Sequence, residues 1–90
     1  MGQVSERMEN KLTEAFAPTA LEIIDESHLH RGHAGAPDGG ESHFRVRIVS
    51  KRFDGMGRLQ RQREVNAVLR EELSGPVHAL SIQALSPGEA

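Results

Sequence analysis

The chain has 90 residues, a formal net charge of −2 and no cysteine. That length makes one small domain with a modest core, and the lack of thiols excludes disulfides, thiolate metal sites and cysteine nucleophiles. No apolar run approaches the roughly 20 residues a membrane-spanning helix needs. The stretch MGQVSERMENKL has no apolar segment of the kind a secretory leader carries, so a cytoplasmic setting is expected.

The elements follow in order. Residues 4–16 are expected to form a helix, because Val4, Met8, Leu12 and Phe16 recur every four residues and line one face. Ser5 is placed to cap its start, and Pro18 ends it. Residues 20–25, ALEIID, read as a short strand with Leu21 and Ile23 on one face and Glu22 and Ile24 on the other. Residues 43–50, HFRVRIVS, alternate more clearly, with Phe44, Val46 and Ile48 against Arg45, Arg47 and Val49. The segment SKRFDGMG over 50–57 is a turn, which Phe53 pins to the core.

A second long helix is expected over 58–73. Leu59, Val65, Val68, Leu69 and Leu73 spread over half of its wheel, with Gln62 inside the apolar arc and Arg61 at its edge. Gly75 and Pro76 stop it. Residues 77–85, VHALSIQAL, form a third strand with Leu80 and Ile82 on one face, and the tail SPGEA over 86–90 is expected to fray. The order is α-β-β-α-β: a single α+β domain over 1–90, two layers, a three-stranded mixed sheet with helices on one face.

The first two strands are joined by a long, glycine-rich connection. It carries His28, His30 and His33 in H-x-H-x2-H spacing, and His43 stands where the next strand starts. Neutral imidazole is the commonest protein metal ligand, and a connection this long in so small a domain is more often functional or mobile than neutral. His28 reads as a solvent-facing loop histidine. His78 reads as a histidine at the edge of the core, beside Leu80 and Ile82.

Charge is unevenly spread. Residues 1–42 hold eight acids and three bases, residues 43–90 eight bases and five acids. Lys51, Arg52, Arg58, Arg61 and Arg63 cluster within 51–63, against Asp54 alone. Such a patch suits an anionic partner, nucleic acid or an acidic protein face, and equally fits a solvated helix face. No serine or carboxylate stands in a recognisable catalytic motif with a histidine, so no enzyme activity is expected. The turn Gly55-Met56-Gly57 lacks the Gly-x-x-Gly spacing with which KH domains clamp phosphates. With no tryptophan or tyrosine and three phenylalanines, base-stacking platforms are scarce.

The segments LEIIDES, ESHFRVRIVSKRFDG, LQRQREVNAVLREEL and GPVHALSIQALSPGE together resemble the BolA family over nearly the whole chain. The resemblance implies an α-β-β-α-β fold similar to the type II KH fold. It further implies heterodimers with monothiol glutaredoxins that share an iron–sulfur cluster, used in cluster trafficking or iron sensing. Other family members are described as DNA-binding regulators linked to cell shape, biofilm and stress. By the same resemblance, a cluster ligand sits on the connection between the first two strands, where His30 and His33 fit. A second ligand is implied at the histidine of an Arg-His-Arg motif on the second long helix; here that position is Gln62, and an amide is a poor iron ligand beside imidazole. His43 matches the family's Ser-His-Phe motif, and it and His78 are expected to be structural. No cofactor is expected in the free protein. The partners expected are a monothiol glutaredoxin or duplex DNA, bound through Lys51, Arg52, Arg58, Arg61 and Arg63, and no membrane.

Overall fold

The computed structural model describes residues 2–26 and 42–90. Helix α1 (Gln3–Phe16) leads into strand β1 (Ala20–Asp25); strand β2 (His43–Val49) is followed by a 3-10 turn (Lys51–Phe53). Helices α2 (Arg58–Val68) and α3 (Arg70–Ser74) precede strand β3 (Ala79–Leu85) and a C-terminal 3-10 turn (Pro87–Glu89). The sheet order is β1-β2-β3. β1 runs antiparallel to β2, with Leu21 opposite Ile48 and Ile23 opposite Val46. β3 runs parallel to β2, with Leu80 opposite Phe44 and Ile82 opposite Val46. The mixed three-stranded sheet expected from the alternation is therefore present.

The period-two pattern decides which face is covered. Phe44, Val46 and Ile48 are buried and share a core with Met8, Leu12 and Phe16 of α1 and with Val65 and Leu69. Leu21, Ile23, Leu80, Ile82 and Ala84 pack against that core from the flanking strands. Phe53 is fully buried, and its ring lies 5.0 Å from that of Phe16. Ser50 completes this corner: its hydroxyl donates to the Phe16 carbonyl at 2.6 Å and accepts from the Arg52 amide at 3.1 Å. One side chain thus satisfies an orphan carbonyl at the end of α1 and starts the turn that buries Phe53.

Several local expectations are corrected. Gly2, not Ser5, is the N-cap of α1; Ser5 lies inside the helix and is buried. The helix ends in a left-handed residue, Ala17 (φ 44°), whose amide donates to Thr13, just before Pro18. Leu59 is not on the core face: it is 64% exposed, while Arg58 and Arg61 of the same turn border the hollow beside residues 82–85 of β3. The helix over 58–73 divides at Leu69, a buried residue with φ −99° and ψ 18°. The third strand begins at Ala79, so Val77 is buried ahead of it while His78 is exposed and is not part of the core edge.

The tail expected to fray forms a short turn over Pro87–Glu89. Ser86 and Glu89 form a capping box around the final turn. A second polar clamp joins α1 to α3. Lys11 Nζ lies 3.0 Å from a carboxylate oxygen of Glu71 and 3.0 Å from one of Glu72, which is only 2% exposed, and Arg7 approaches Glu72 at 4.0 Å. Hydrogen bonding to Glu72 and Glu71 raises the Lys11 pKa above its ordinary value, and the Lys11 ammonium lowers that of Glu71.

Candidate functional site

The two histidines of the described chain meet at one end of the sheet. The buried Ser42 sets their positions. Its carbonyl accepts from the amides of both His78 (2.7 Å) and Ala79 (3.1 Å), which fixes the start of β3 beside the start of β2. Its hydroxyl shares a 2.8 Å hydrogen bond with His43 Nδ1, orienting that ring. Across this junction the His43 and His78 rings lie 6.2 Å apart, centroid to centroid, with 40° between their planes. The end of β1 is there too, since the Glu26 amide donates to the His43 carbonyl at 2.7 Å and Glu26 pairs with Arg45 at 3.2 Å.

Glu26 and Ser42 are the points where the long connection leaves and rejoins the described chain. His28, His30 and His33 lie outside the described residues. Among the described residues, no three or more His, Asp or Glu side chains stand together as a metal cluster.

Gln62 is at the other end of β3. It lines a hollow of about 270 Å³ with Arg58, Arg61 and residues 82–85. Those residues lie at least four positions beyond His78, and at about 3.3 Å per strand residue that is a separation of roughly 13 Å or more. Gln62 and His78 therefore cannot ligate one compact centre within this chain. The helix position singled out by resemblance points into a different hollow.

The basic residues also divide. Lys51, Arg52, Arg58 and Arg63 are exposed, but Arg61 is committed to the fold. Its side chain is 12% exposed. Nε donates to the Met56 carbonyl at 2.9 Å, and Nη1 donates to the Ala84 carbonyl at 3.0 Å and to Glu89 Oε1. Glu89 Oε1 also accepts from the amide (2.7 Å) and hydroxyl (2.9 Å) of Ser86. The Arg61 guanidinium, with these Ser86 donors, lowers the Glu89 carboxyl to about 2. As a member of the docking patch Arg61 is thus corrected: it joins α2, the end of β3 and the last turn. Sequence reasoning missed its partner, although Ser86 followed three residues later by Glu89 is a readable capping signature.

Comparison with known proteins fits this architecture. A family model described as BolA-like protein matches residues 12–89. Over 89 residues the chain is 52% identical to human BolA-like protein 1, an alignment that covers 99% of this chain and 62% of the human one. It is 48% identical over 79 residues to the Escherichia coli protein named DNA-binding transcriptional regulator BolA, covering 88% of this chain and 71% of that one. The structure of BolA1 from Arabidopsis thaliana matches with a TM-score of 0.88 at 42% identity, covering 100% of this chain and 99% of that one. The chain belongs to the BolA-like family. Neither of these relatives carries an enzyme's name. Among the described residues no helix is long and apolar enough to cross a membrane.

Proposed function

We propose that this protein is a non-enzymatic adaptor of the cytoplasm that pairs with a monothiol glutaredoxin and shares an iron–sulfur cluster with it as cargo. The observation that supports this reading is the His43–His78 pair at the end of the sheet where the histidine-bearing connection departs and returns. A cluster is held by four protein donors, and imidazoles can replace thiolates on one iron. This chain has no cysteine, so imidazole is the donor it can offer. His78, exposed and braced beside His43, takes the role that resemblance assigned to the position of Gln62. His30 or His33 supplies the loop ligand, and the partner's thiol chemistry completes the set.

The test is to mix the protein with a cluster-loaded monothiol glutaredoxin and record visible circular dichroism and size exclusion. A changed spectrum and a heterodimer are expected. His78→Ala is expected to abolish the spectral change, whereas Gln62→Ala is expected to leave it intact. No complex and an unchanged spectrum with the unaltered protein would reject the adaptor.

A second reading has its own support. The Escherichia coli relative is named a DNA-binding transcriptional regulator, and Lys51, Arg52, Arg58 and Arg63 line the turn and the start of α2. Duplex binding through them would rest on phosphate neutralisation and fall steeply with salt. Charge removal at Lys51, Arg52 and Arg63 should then weaken binding and flatten the salt dependence by about one unit for each phosphate no longer neutralised. Arg61 is unsuitable for this test, because its loss disturbs the fold.

A further inference from the structure

The free edge of β3 lies open beside a cationic helix stripe, and the backbone direction of that edge can be read from its hydrogen bonds. The Ala79 amide donates to Ser42 and the Leu85 carbonyl accepts from Ser50, so odd-numbered residues turn their peptide groups toward β2. The Ala84 carbonyl accepts from Arg61 on the opposite side. Because the N–H and C=O of one strand residue point the same way and alternate along the chain, the peptide groups of Leu80 and Ile82 face outward. No strand lies beyond them among the described residues. Natural edges are usually blunted by charge or proline. The opposite edge, β1, carries Glu22 and Asp25, whereas ALSIQAL of β3 carries neither charge nor proline.

Along this edge α2 and α3 run antiparallel to β3. Arg58 and Gln62 border the hollow beside residues 82–85, while Arg63, Asn66 and Arg70 border a groove of about 620 Å³ beside Leu80. From 58 to 70 the helical rise is about 18 Å, close to the roughly 20 Å length of a seven-residue strand. Besides Arg61, which Glu89 already pairs, the stripe facing the edge holds three arginines and two amides, and no acid lines either hollow. Arg58 also borders the hollow on the outer side of Ile82, so it stands at the edge itself.

We propose that the edge of β3 accepts an extended acidic peptide segment of a partner protein by strand addition. The peptide's backbone pairs with Leu80 and Ile82, and its alternate carboxylates meet Arg58, Arg63 and Arg70. Charge complementarity selects this occupant over a second copy, because edge-to-edge pairing of two β3 strands would bring like arginine stripes together. It is favoured over single-stranded nucleic acid because the chain has no tryptophan or tyrosine and Phe16, Phe44 and Phe53 are all buried, so no large aromatic ring borders the edge for bases to stack on. This partner is independent of the adaptor reading and needs neither a cluster nor a glutaredoxin.

The probe is a fluorescein-labelled, N-acetylated peptide of about ten alternating Glu and Val residues, followed by anisotropy and by amide hydrogen exchange of the full chain. At saturation, exchange at Leu80 and Ile82 should slow at least about tenfold. A Lys/Val peptide should bind at least about tenfold more weakly, as should the acidic peptide to the Arg63→Ala/Arg70→Ala variant, with the melting temperature unchanged. N-methylation of alternate peptide amides should abolish binding. Absence of binding by the acidic peptide overturns the proposal, and so does unchanged exchange at Leu80 and Ile82 in its complex. Concentration-dependent protection of these amides without peptide overturns it in favour of a second copy. Tighter binding of an oligothymidine, lost in the same double variant, overturns it in favour of nucleic acid.

Discussion

At its C-terminal end, β3 is tied down by a cation: Arg61 spans the Met56 carbonyl, the Ala84 carbonyl and Glu89, and Ser86 donates to the same carboxylate oxygen. At its N-terminal end, the exposed His78 stands beside the partly buried His43, and the chain leaves toward three further histidines. Both ends collect residues that chemistry makes candidates for function. One end closes its polar groups on each other; the other presents an imidazole outward. What separates structural from functional candidates is thus the geometry of neighbours, not residue type. Arg61 and Arg63 make the same point within one helix turn. Two residues apart means about 200° around the axis, enough to put one guanidinium over the end of β3 and the other in solvent.

Substitutions at the two ends should therefore differ in kind. The largest effect is expected from Arg61→Ala. It removes donors from two backbone carbonyls in a largely buried position, where each loss costs about 1–3 kcal/mol. A destabilisation of roughly 2–3 kcal/mol follows, or a fall in melting temperature of about 10 °C or more for a domain of this size. Arg63→Ala, at an exposed position without such partners, should stay within about 0.5 kcal/mol. Thermal unfolding followed by circular dichroism compares the two directly. Equal melting temperatures would remove the distinction between the tied and the open arginine.

The contrast also marks how far the sequence could be read. Strict alternation in HFRVRIV and the four-residue recurrence in α1 made the sheet and the first helix legible, because burial of one face dictates both periods. The corner at Phe53 was legible for the same reason: a single large apolar residue among turn formers has one place to go. Leu59 was misplaced because a helical wheel counts every apolar residue toward one arc, whereas in the first turn of α2 it is the arginines Arg58 and Arg61, not Leu59, that border the end of β3. The Arg61–Glu89 tie joins residues 28 positions apart, and only the fold brings them together. The pairing of His43 with His78 likewise depends on Ser42 fixing two strand starts, which no spacing in the chain records. The family resemblance agreed with the fold class already read from the pattern and picked His30 and His33 out of the loop histidines, but it also directed attention to Gln62, which the fold puts at the other end of β3 from His78.

A pH titration sharpens the tied end further. The folded Glu89 carboxyl lies at about 2, well below the ordinary 4.5, chiefly because of its hydrogen bond with Arg61. A depressed folded value means that its contribution to stability is fully present above about pH 4.5 and is lost progressively as pH falls toward 2. Glu89→Gln should therefore flatten the acid limb of the stability curve between about 4.5 and 2. The carboxylate is partly exposed, so salt should weaken the effect. Identical acid limbs for the unaltered protein and Glu89→Gln would show that the last turn is not held by this pair.

The smallest change in stability is expected at the open end, and its smallness is the informative part. His78 follows the buried Val77, but its own side chain is exposed and lies outside the strand. The register of β2 and β3 is held by the His78 backbone amide and the Ser42 carbonyl, which alanine preserves. His78→Ala should then shift unfolding by less than about 0.5 kcal/mol, as substitutions at exposed, uncommitted positions do. If His78→Ala lowered stability by as much as Arg61→Ala, the imidazole would be a structural member of the sheet end, and any loss of partner binding in that variant would report unfolding. A stable His78→Ala protein that no longer alters a partner's cluster spectrum would instead assign the exposed ring to recognition, at the end of β3 that the fold leaves open.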